Sequence, residues 1–585
     1  MRFNRKPLIL LLLAALVAGV APLQGAVHPA HAPHAMVASV HGLASQAGVE
    51  IMKAGGNAVD AAVAVGFALA VVHPQAGNLG GGGFMLIRMA DGKTHFIDYR
   101  EKAPAAATAN MYLDAQGNVI QDASLVGYRA IAVPGSVAGM VHAEKKYGKL
   151  TLARVMAPAI KLALGFPLAW EDARDLQQDE DLARFPESRR LFQRSGNYYK
   201  QGEIFRQPEL ARTLERIAAN PDEFYHGAMA SELAASVQKG GGLITVDDLA
   251  KYEVKEREPV RGTYRGYEII SAPPPSSGGT ALLEILNILE GYDLAKAGNR
   301  SAAAVHLTVE AFRRAFYDRA EFMGDPDFSK LPVAQLIDKK YGAAWRESLD
   351  PAHASVSKDL KRPAIFNELE QYASQHQQTM ARREPEHTTH YSVVDTAGDA
   401  VAVTTTLNDD FGSRVTAEGL GFLLNDEMDD FSAKPGVPNL YGLIQGPANA
   451  IGPGKRPLSA MTPTIVLKDD KLFLVLGSPG GSKIITTVAN ILMGVVDYGM
   501  NIQEAVEAPR FHHQWLPDKV NVEQWFSLDT VEALEAKGHH VERGVTVGGE
   551  WDPYWSDGEC IAIDPKTGAR LGASDGRHNG KAVGY

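Results

Sequence analysis

Hydrophobic positions recur at helical spacing in the first half of the chain, with one strand hairpin among them. From Ala44 to Val72 they mark two helices, with Gly55-Gly56 dividing them and Asn57 placed to cap the second. The next stretch, GNLGGGGFMLIRMADGKTHFIDYRE, predicts a glycine loop and a hairpin that turns at Asp91-Gly92. Helical spacing then dominates residues 128–260, with examples at Ser136 to Tyr147 and Pro208 to Ile217.

Strand patterns dominate the second half. After Gly262, TYRGYEIISAPPPSSGGT predicts a strand and a proline-rich turn, and helical spacing returns from Thr280 to Leu294. Further strands are predicted at Thr389 to Val394, Ala400 to Leu407, Thr464 to Leu467, Leu472 to Leu476 and in a hairpin from Cys560 to Ala573, and helices at Ile484 to Val496 and Leu528 to Lys537. Strand pairs near both ends with helices between them predict an α+β fold of stacked antiparallel sheets sandwiched by helices.

Composition narrows the class of protein. With 585 residues, 45% of them hydrophobic and 22% charged, the chain can bury the core of a large globular protein. A net charge of −11 and the lack of a Lys and Arg cluster beyond short helical faces argue against a nucleic-acid partner. Cys560 is the only cysteine, so no intramolecular disulfide is possible, and its strand-like setting favours a packed residue over a nucleophile.

The first residues have the order of a secretory signal peptide. Arg2, Arg5 and Lys6 precede an apolar run from Leu8 to Ala21, and small residues follow. We expect residues 1–26 to be removed, with residue 32 as a later cleavage point, and an uncleaved membrane anchor is the alternative. No later segment has the roughly 20 apolar residues that a membrane span needs. The mature protein is therefore predicted to be periplasmic or secreted.

The junction at Thr388 carries the most specific chemistry. A polar, linker-like segment from Leu349 to Glu386 runs directly into TTHYSVVD. Threonine is a weak nucleophile, but an N-terminal threonine has its own α-amine, with a pKa of about 7.7 to 8.0, as a base. Cleavage between His387 and Thr388 would create that base. The alternative is that these threonines are ordinary strand residues.

Two further segments suggest charge-stabilising groups. The GSPGGS turn lies between a strand and a helix, so the backbone N–H groups of Gly480 and Gly481 are candidates for an oxyanion hole. A phosphate loop lacks support because the Walker spacing is absent, and a plain turn is the other reading. Arg100 could clamp a carboxylate or form a structural ion pair.

Other polar motifs are less specific. The acidic run from Asn425 to Phe431 groups Glu427, Asp429 and Asp430, which could bind an ammonium group or could be solvated or paired, and it gathers too few ligands for a metal. His512-His513 favours packing or hydrogen bonding over metal binding. The glycines of GNLGGGGF indicate close backbone packing rather than a dinucleotide site. We predict no metal.

Taken together, the motifs resemble those of the γ-glutamyltransferases, also called γ-glutamyltranspeptidases or glutathione hydrolases. The likeness spans essentially the whole mature chain and is closest to bacterial exported members. Its segments are GNLGGGGFM, DYREKAP, GDPDF, TTHYSVVD, NDEMDDFSAKPGVPN, RPLSAMTPTIV, GSPGGS and APRFHHQWLPD. The resemblance implies an αββα sandwich of the N-terminal-nucleophile hydrolase type, with residues 27–387 as a large subunit and residues 388–585 as a small subunit that pair as a heterodimer.

The resemblance also assigns site residues. It implies that Thr388 is the nucleophile and that Thr406 supports its amine. The remaining implied roles are α-carboxylate binding by Arg100 and Ser459, α-amino binding by Asn408, Glu427 and Asp430, an oxyanion hole at Gly480 and Gly481, and a lid from Pro438 to Gly446 with Tyr441 as its aromatic residue. Ala460 stands where members often have a second serine, and Glu427 where close bacterial relatives often have glutamine.

The implied reaction is acyl transfer without a cofactor. Glutathione and related γ-glutamyl compounds would acylate the threonine, and water, amino acids or dipeptides would accept the glutamyl group. One alternative is a β-lactam side-chain (glutaryl) acylase of the same fold, which needs no α-amino pocket. Another is an exported protein that binds γ-glutamyl peptides without turnover.

Overall fold

The computed structural model describes residues 27–366, 369, 388–434, 443, 445–544, 546–547, 550–551 and 555–585. The predicted signal peptide (1–26), His387 and Tyr441 lie outside these residues, as do most of the predicted lid and the second half of the polar segment. The described chain from 388 onward pairs extensively with strands from the N-terminal half.

Two seven-stranded sheets form the centre of the molecule, and every strand pairing within them is antiparallel. The first sheet, in spatial order, contains Lys581–Gly584, Met36–Ser39, Thr389–Val394, Ala400–Thr406, Gly82–Arg88, Thr94–Asp98 and Lys255–Arg257. The second sheet contains Ala30–Ala32, Arg570–Ala573, Cys560–Ile563, Lys471–Leu476, Thr464–Lys468, Tyr267–Ser271 and Val260–Tyr264. Three smaller sheets pair Phe511–His512, Val520–Val522 and Val541–Arg543; Thr546–Val547 and Glu550–Trp551; and Phe166–Pro167 and Ile204–Phe205.

Helices cover the outer face of each sheet. The α-helices described are Gly42–Lys53, Ala58–Val72, Ser136–Tyr147, Leu152–Ala163, Trp170–Gln178, Pro186–Phe192, Pro208–Ala219, Glu223–His226, Ala228–Lys239, Val246–Ala250, Gly278–Leu289, Leu294–Ala297, Ala302–Phe322, Val333–Leu336, Lys339–Glu347, Lys483–Val496, Ile502–Glu507 and Leu528–Ala536. One apolar cluster joins the first sheet to helices such as Ala58–Val72, and a second joins the second sheet to Gly278–Leu289 and Lys483–Val496. A third lies between the sheets, where Phe84 and Ala402 meet Ile465 and Val475. The predicted αββα sandwich is confirmed.

Most predicted elements are confirmed within two residues. Asn57 caps Ala58–Val72, since its side chain accepts from the N–H of Asp60 while the Asp60 carboxylate accepts from the N–H of Asn57. The helix predicted from Thr280 to Leu294 is wrong at its end. It ends at Leu289, and the chain begins a new short helix because the Asp293 side chain accepts from the N–H of Lys296.

The glycine loop packs as predicted, with backbone against backbone. A Cβ on Gly81 would lie 2.0 Å from the carbonyl oxygen of Thr406, and one on Gly83 would lie 2.5 Å from that of Thr404. Glycine is therefore required here so that the loop can approach the end of Ala400–Thr406. Among the helices described, none is both long and apolar enough to span a bilayer.

Candidate active site

Strand register brings two threonines together at one end of the first sheet. Thr389 pairs with Thr405, so the residue before the strand, Thr388, lies opposite Thr406. Their Oγ1 atoms are 3.1 Å apart, and the backbone N–H of Asn408 donates to Thr406 Oγ1 at 2.9 Å. Thr388 is buried, with 8% of its surface exposed. A nucleophile at Thr388 would thus have a fixed hydroxyl beside it.

A polar row continues beneath the threonine pair, on the face that looks toward the second sheet. His390 hydrogen bonds to Thr404 Oγ1 at 2.8 Å and to Ser392 Oγ at 3.1 Å, and Ser392 donates to the carbonyl of Glu559. Burial lowers the pKa of His390 to about 3, so the imidazole is neutral. Sequence reasoning missed this residue, although a histidine two residues after Thr388 on the same strand face was visible.

The glycine turn of the second sheet closes over this row. A Cβ on Gly477 would lie 2.0 Å from the His390 ring, so only glycine permits the approach. Gly480 and Gly481 both have positive φ, 120° and 52°, which glycine adopts without steric cost. The turn leads into the helix Lys483–Val496, so its N–H groups lie at a helix N-terminus, as the oxyanion-hole prediction requires.

Arg100 follows the strand Thr94–Asp98 and is fully buried. Its guanidinium forms ion pairs with the carboxylates of Glu427 and Asp430, and its Nε donates to the carbonyl of Pro457 at 3.2 Å. Burial alone would lower the pKa of Arg100, but the two carboxylates raise it overall. The arginine is therefore a permanent, immobile cation. The sequence suggested either a carboxylate clamp or a structural ion pair for Arg100. In the structure, the candidate clamp forms ion pairs with acidic groups.

The acidic run forms a 3-10 helix, Glu427–Asp430, that is fixed from below. The Asn425 side chain donates to the carbonyls of Gly80 and Ala132, and its Oδ1 accepts from the N–H of Glu427. Burial raises the pKa of Glu427 well above its ordinary range, although Arg100 opposes the shift. Asp429 does not belong to this group, because its carboxylate accepts a hydrogen bond from Ser124 Oγ at 2.6 Å. Of the three acids grouped by sequence, two face Arg100.

Ser459 and Arg319 complete the far wall. The backbone of Ser459 is held between Pro275 and Ser277, and Arg319 donates from Nε to Ser277 Oγ at 2.8 Å. Arg319 is 3% exposed, its Nη1 has no hydrogen-bond partner within the described chain, and burial lowers its pKa to about 10 despite Asp430. Sequence reasoning missed Arg319, whose only signal was a charge within a mostly buried helix, Ala302–Phe322.

These groups surround a cavity with about 300 Å³ of free space, which we call the Arg100 cavity. Its lining residues are Arg100, Arg319, Thr388, Thr406, Asn408, Glu427, Asp430, Leu443, Ser459, Ala460, Met461, Gly481 and Ile484. Every described residue predicted for the site lines it except Gly480. The side chain of Asn408 donates to Asp426 Oδ2 at 3.0 Å, and Asn408 has a positive φ of 85°.

A second and larger cavity, with about 630 Å³ of free space, opens on the other side of Thr388, and we call it the Asp557 cavity. Thr388 and Gly480 both line it. Its ionisable lining residues are His41, His73, Glu171, Asp172, Asp175, Asp410, Asp557 and His578. No sequence pattern indicated this cavity, since its acids come from three distant segments without shared spacing.

The remaining candidates lie elsewhere. His512 forms hydrogen bonds with Thr486 Oγ1 and Gln514 Oε1, each at 2.8 Å, which is the kind of contact that the sequence favoured for this histidine. Cys560 is buried in a strand, and burial raises the pKa of its thiol. His306, Glu310 and His539 approach one another closely, but the histidines bond to each other at 2.8 Å and Glu310 pairs with two arginines. These three side chains therefore already have partners within the protein.

Comparisons with known proteins found similar chains and folds. The gamma-glutamyltranspeptidase family model matches residues 44–585. The glutathione hydrolase proenzyme of Pseudomonas sp. (strain A14) is 51% identical over 520 residues, 87% of each chain, and that of Escherichia coli (strain K12) is 51% identical over 554 residues, covering 94% of this chain and 91% of the relative. The crystal structure of cephalosporin acylase from Bacillus halodurans superimposes with a TM-score of 0.80 at 28% identity, covering 97% of this chain and 98% of that one.

Proposed function

Because the chain belongs to the γ-glutamyltranspeptidase family, we propose that Thr388 is its nucleophile and that the Arg100 cavity holds the γ-glutamyl donor. The protein is an autoprocessing γ-glutamyl acyltransferase and hydrolase with the αββα sandwich of the N-terminal-nucleophile hydrolases. The observation that carries the proposal is the 3.1 Å contact between Thr388 and Thr406 at the wall of a cavity that contains Arg100 and Asp430.

Maturation uses the same hydroxyl as catalysis. Thr388 Oγ1 attacks the carbonyl of His387, the peptide becomes an ester on Oγ1, and water hydrolyses that ester. The products are a large subunit that ends at residue 387 and a small subunit, 388–585. They remain together as a heterodimer, since strands of the small subunit pair with strands of the large one: Thr389–Val394 with Met36–Ser39, and Ala400–Thr406 with Gly82–Arg88. The new α-amine of Thr388 then becomes the general base.

The donor binds through its amino-acid end. Its α-carboxylate pairs with Arg100 and receives a hydrogen bond from Ser459, while its α-ammonium meets Asn408, Glu427 and Asp430. The zwitterionic donor thereby replaces the direct ion pairs between Arg100 and the two acids. Its carboxylate pairs with Arg100, and its ammonium group pairs with the acids. Burial of Arg100 and Glu427 strengthens these pairs relative to a solvated surface.

Acyl transfer follows at the γ-carbonyl. Thr388 Oγ1 attacks, its α-amine takes the hydroxyl proton and returns it to the leaving amine, and Gly480 and Gly481 donate N–H groups to the oxyanion. Thr406 fixes the attacking hydroxyl and the amine. Water completes hydrolysis, whereas an amino acid or dipeptide completes transfer. We propose glutathione as a donor, on the basis of the relatives' names. No step requires a cofactor.

Two predicted features remain part of the proposal although they involve residues outside the described chain. The N-terminal pattern supports export to the periplasm or beyond, with removal of residues 1–26. Tyr441 would cover the bound donor as part of a lid, and Leu443, the described residue nearest to it in sequence, already lines the Arg100 cavity.

A glutaryl acylase is the second candidate, favoured by the structural likeness to the cephalosporin acylase. A glutaryl group has no α-ammonium, so it would leave Glu427 and Asp430 without a substrate partner. These two buried acids therefore favour the γ-glutamyl donor. Parallel assays with a γ-glutamyl and a glutaryl anilide decide between the two.

Glutathione turnover by the wild type and by Thr388→Ala tests the proposed function. We expect the variant to remain one long chain with no measurable turnover, because both reactions need this oxygen. Thr389→Val is the matched control. The Thr389 hydroxyl is buried and has no hydrogen-bond partner in the described chain, so its loss leaves cleavage and activity intact. Turnover of a γ-glutamyl donor by Thr388→Ala would refute the assignment.

A further inference from the structure

The Asp557 cavity has no assigned role, yet it shares Thr388 with the Arg100 cavity. Gly480 lines the Asp557 cavity and Gly481 lines the Arg100 cavity, so the proposed oxyanion hole lies at their boundary. If the glutamyl group fills the Arg100 cavity, the group that attacks or leaves the ester carbonyl must approach from the opposite side of Thr388. That side is the Asp557 cavity.

The cavity is acidic. Five carboxyl groups line it, and none of the described lysines or arginines does. Asp175 is already committed, since it forms an ion pair with Arg174 at 2.6 Å. The nearby cations Arg510 and Arg577 are also committed, because both pair with Asp575. Carboxyl groups without a committed cation therefore line the space beside Thr388.

Two of its acids are buried and have carboxylate oxygens that accept no hydrogen bond within the described residues. Asp557 is 1% exposed, and neither of its carboxylate oxygens accepts a hydrogen bond from any residue that the structure describes. Asp172 is 6% exposed, its Oδ2 likewise accepts none, and His41 Nε2 lies 3.6 Å from that oxygen. Burial and the neighbouring Asp575 raise the pKa of Asp557. Buried carboxylates without donors are costly, so both are suited to a ligand that supplies a cation.

We propose that the Asp557 cavity is the acceptor site and that it selects amine acceptors with a second positive charge, such as a basic amino acid. This inference rests on the proposed function. The acceptor's uncharged amine attacks the glutamyl ester carbonyl, a C–N bond forms, and the bond between that carbonyl and Thr388 Oγ1 breaks. The amine's proton passes to Oγ1 through the Thr388 α-amine. The distal guanidinium or ammonium pairs with Asp557 and Asp172.

The test compares arginine with citrulline as acceptors, since the two differ little in shape but only arginine is charged. With a γ-glutamyl anilide as donor, transfer product is quantified by chromatography at acceptor concentrations that give kcat/KM. We expect the wild type to favour arginine by about tenfold or more, as a buried carboxylate requires. Asp557→Asn and Asp172→Asn keep the side-chain shape, and each should lower the ratio several-fold.

Asp529→Asn is the matched control, because Asp529 is exposed on a distant helix and should leave the ratio unchanged. A wild-type ratio near one, with transfer to both acceptors intact, would overturn the inference and leave the proposed function standing. So would an undiminished ratio in both Asp557→Asn and Asp172→Asn. The absence of transfer and of donor hydrolysis in the wild type would instead refute the proposed function, and the inference with it.

Discussion

The two cavities beside Thr388 differ in how their charges are balanced. In the Arg100 cavity two buried cations, Arg100 and Arg319, stand beside two buried acids, Glu427 and Asp430, so positive and negative groups are equal in number. The Asp557 cavity is lined by five carboxyl groups, and the nearby arginines pair with Asp575. A balanced cavity suits a ligand with both charges, such as the amino-acid end of a γ-glutamyl group, whereas an acidic cavity suits a cation. We therefore propose that one nucleophile serves two sites of different selectivity.

The strongest way to break this comparison is to remove Arg100 from the balanced cavity. Arg100→Ala should raise KM for a γ-glutamyl donor and lower kcat/KM, because loss of a buried charged partner costs roughly 2 to 5 kcal/mol. The KM and kcat/KM of Arg100→Lys should fall between those of the wild type and Arg100→Ala, since lysine keeps the charge but not the bidentate geometry. Steady-state kinetics of donor hydrolysis measures both, with the exposed Arg154→Ala as control.

Unchanged donor kinetics in Arg100→Ala would remove this residue from the site. The variant must first be shown to be cleaved and folded, because it leaves Glu427 and Asp430 buried without their cation. Arg100→Lys covers the case in which the alanine variant does not fold.

The neighbouring acids Asp429 and Asp430 should differ in their effect on substrate preference, and this effect should be smaller than that of Arg100→Ala. Asp430→Asn should lower kcat/KM for a γ-glutamyl anilide relative to that for a glutaryl anilide by about ten- to a hundredfold. Only the γ-glutamyl anilide has an ammonium group for this carboxylate. Asp429→Asn is the matched control, since Asp429 bonds to Ser124 and does not line the cavity. Equal preference ratios in both variants would contradict the assigned role of Asp430.

The smallest effect concerns the one small residue on the carboxylate side. Ala460 lines the Arg100 cavity beside Ser459 and carries no donor. Ala460→Ser adds a hydroxyl that can bond to the donor's α-carboxylate, which is worth about 1 kcal/mol and should lower KM roughly fivefold. Acceptor preference should not change, because Ala460 does not line the Asp557 cavity. An altered ratio of arginine to citrulline would show that the two cavities are not independent.

Local patterns predicted the strands that carry Thr388 and Thr406, the glycine turn and the acidic run, because each depends on neighbours in sequence. Their mutual arrangement was available only through family resemblance. Arg100 pairs with acids more than 300 residues later, and no periodicity encodes such a contact. Arg319 and Asp557 went unpredicted for a similar reason. Each is a single polar residue in an otherwise ordinary element, and only tertiary packing makes it a cavity wall.

The central claim is that backbone cleavage gives Thr388 a free α-amine between the two cavities. The most direct test is the N-terminal residue and intact mass of the smaller chain in purified, active protein. The account predicts a chain that begins at Thr388 and has the mass of residues 388–585. A fully active sample in which His387 and Thr388 remain joined would contradict it.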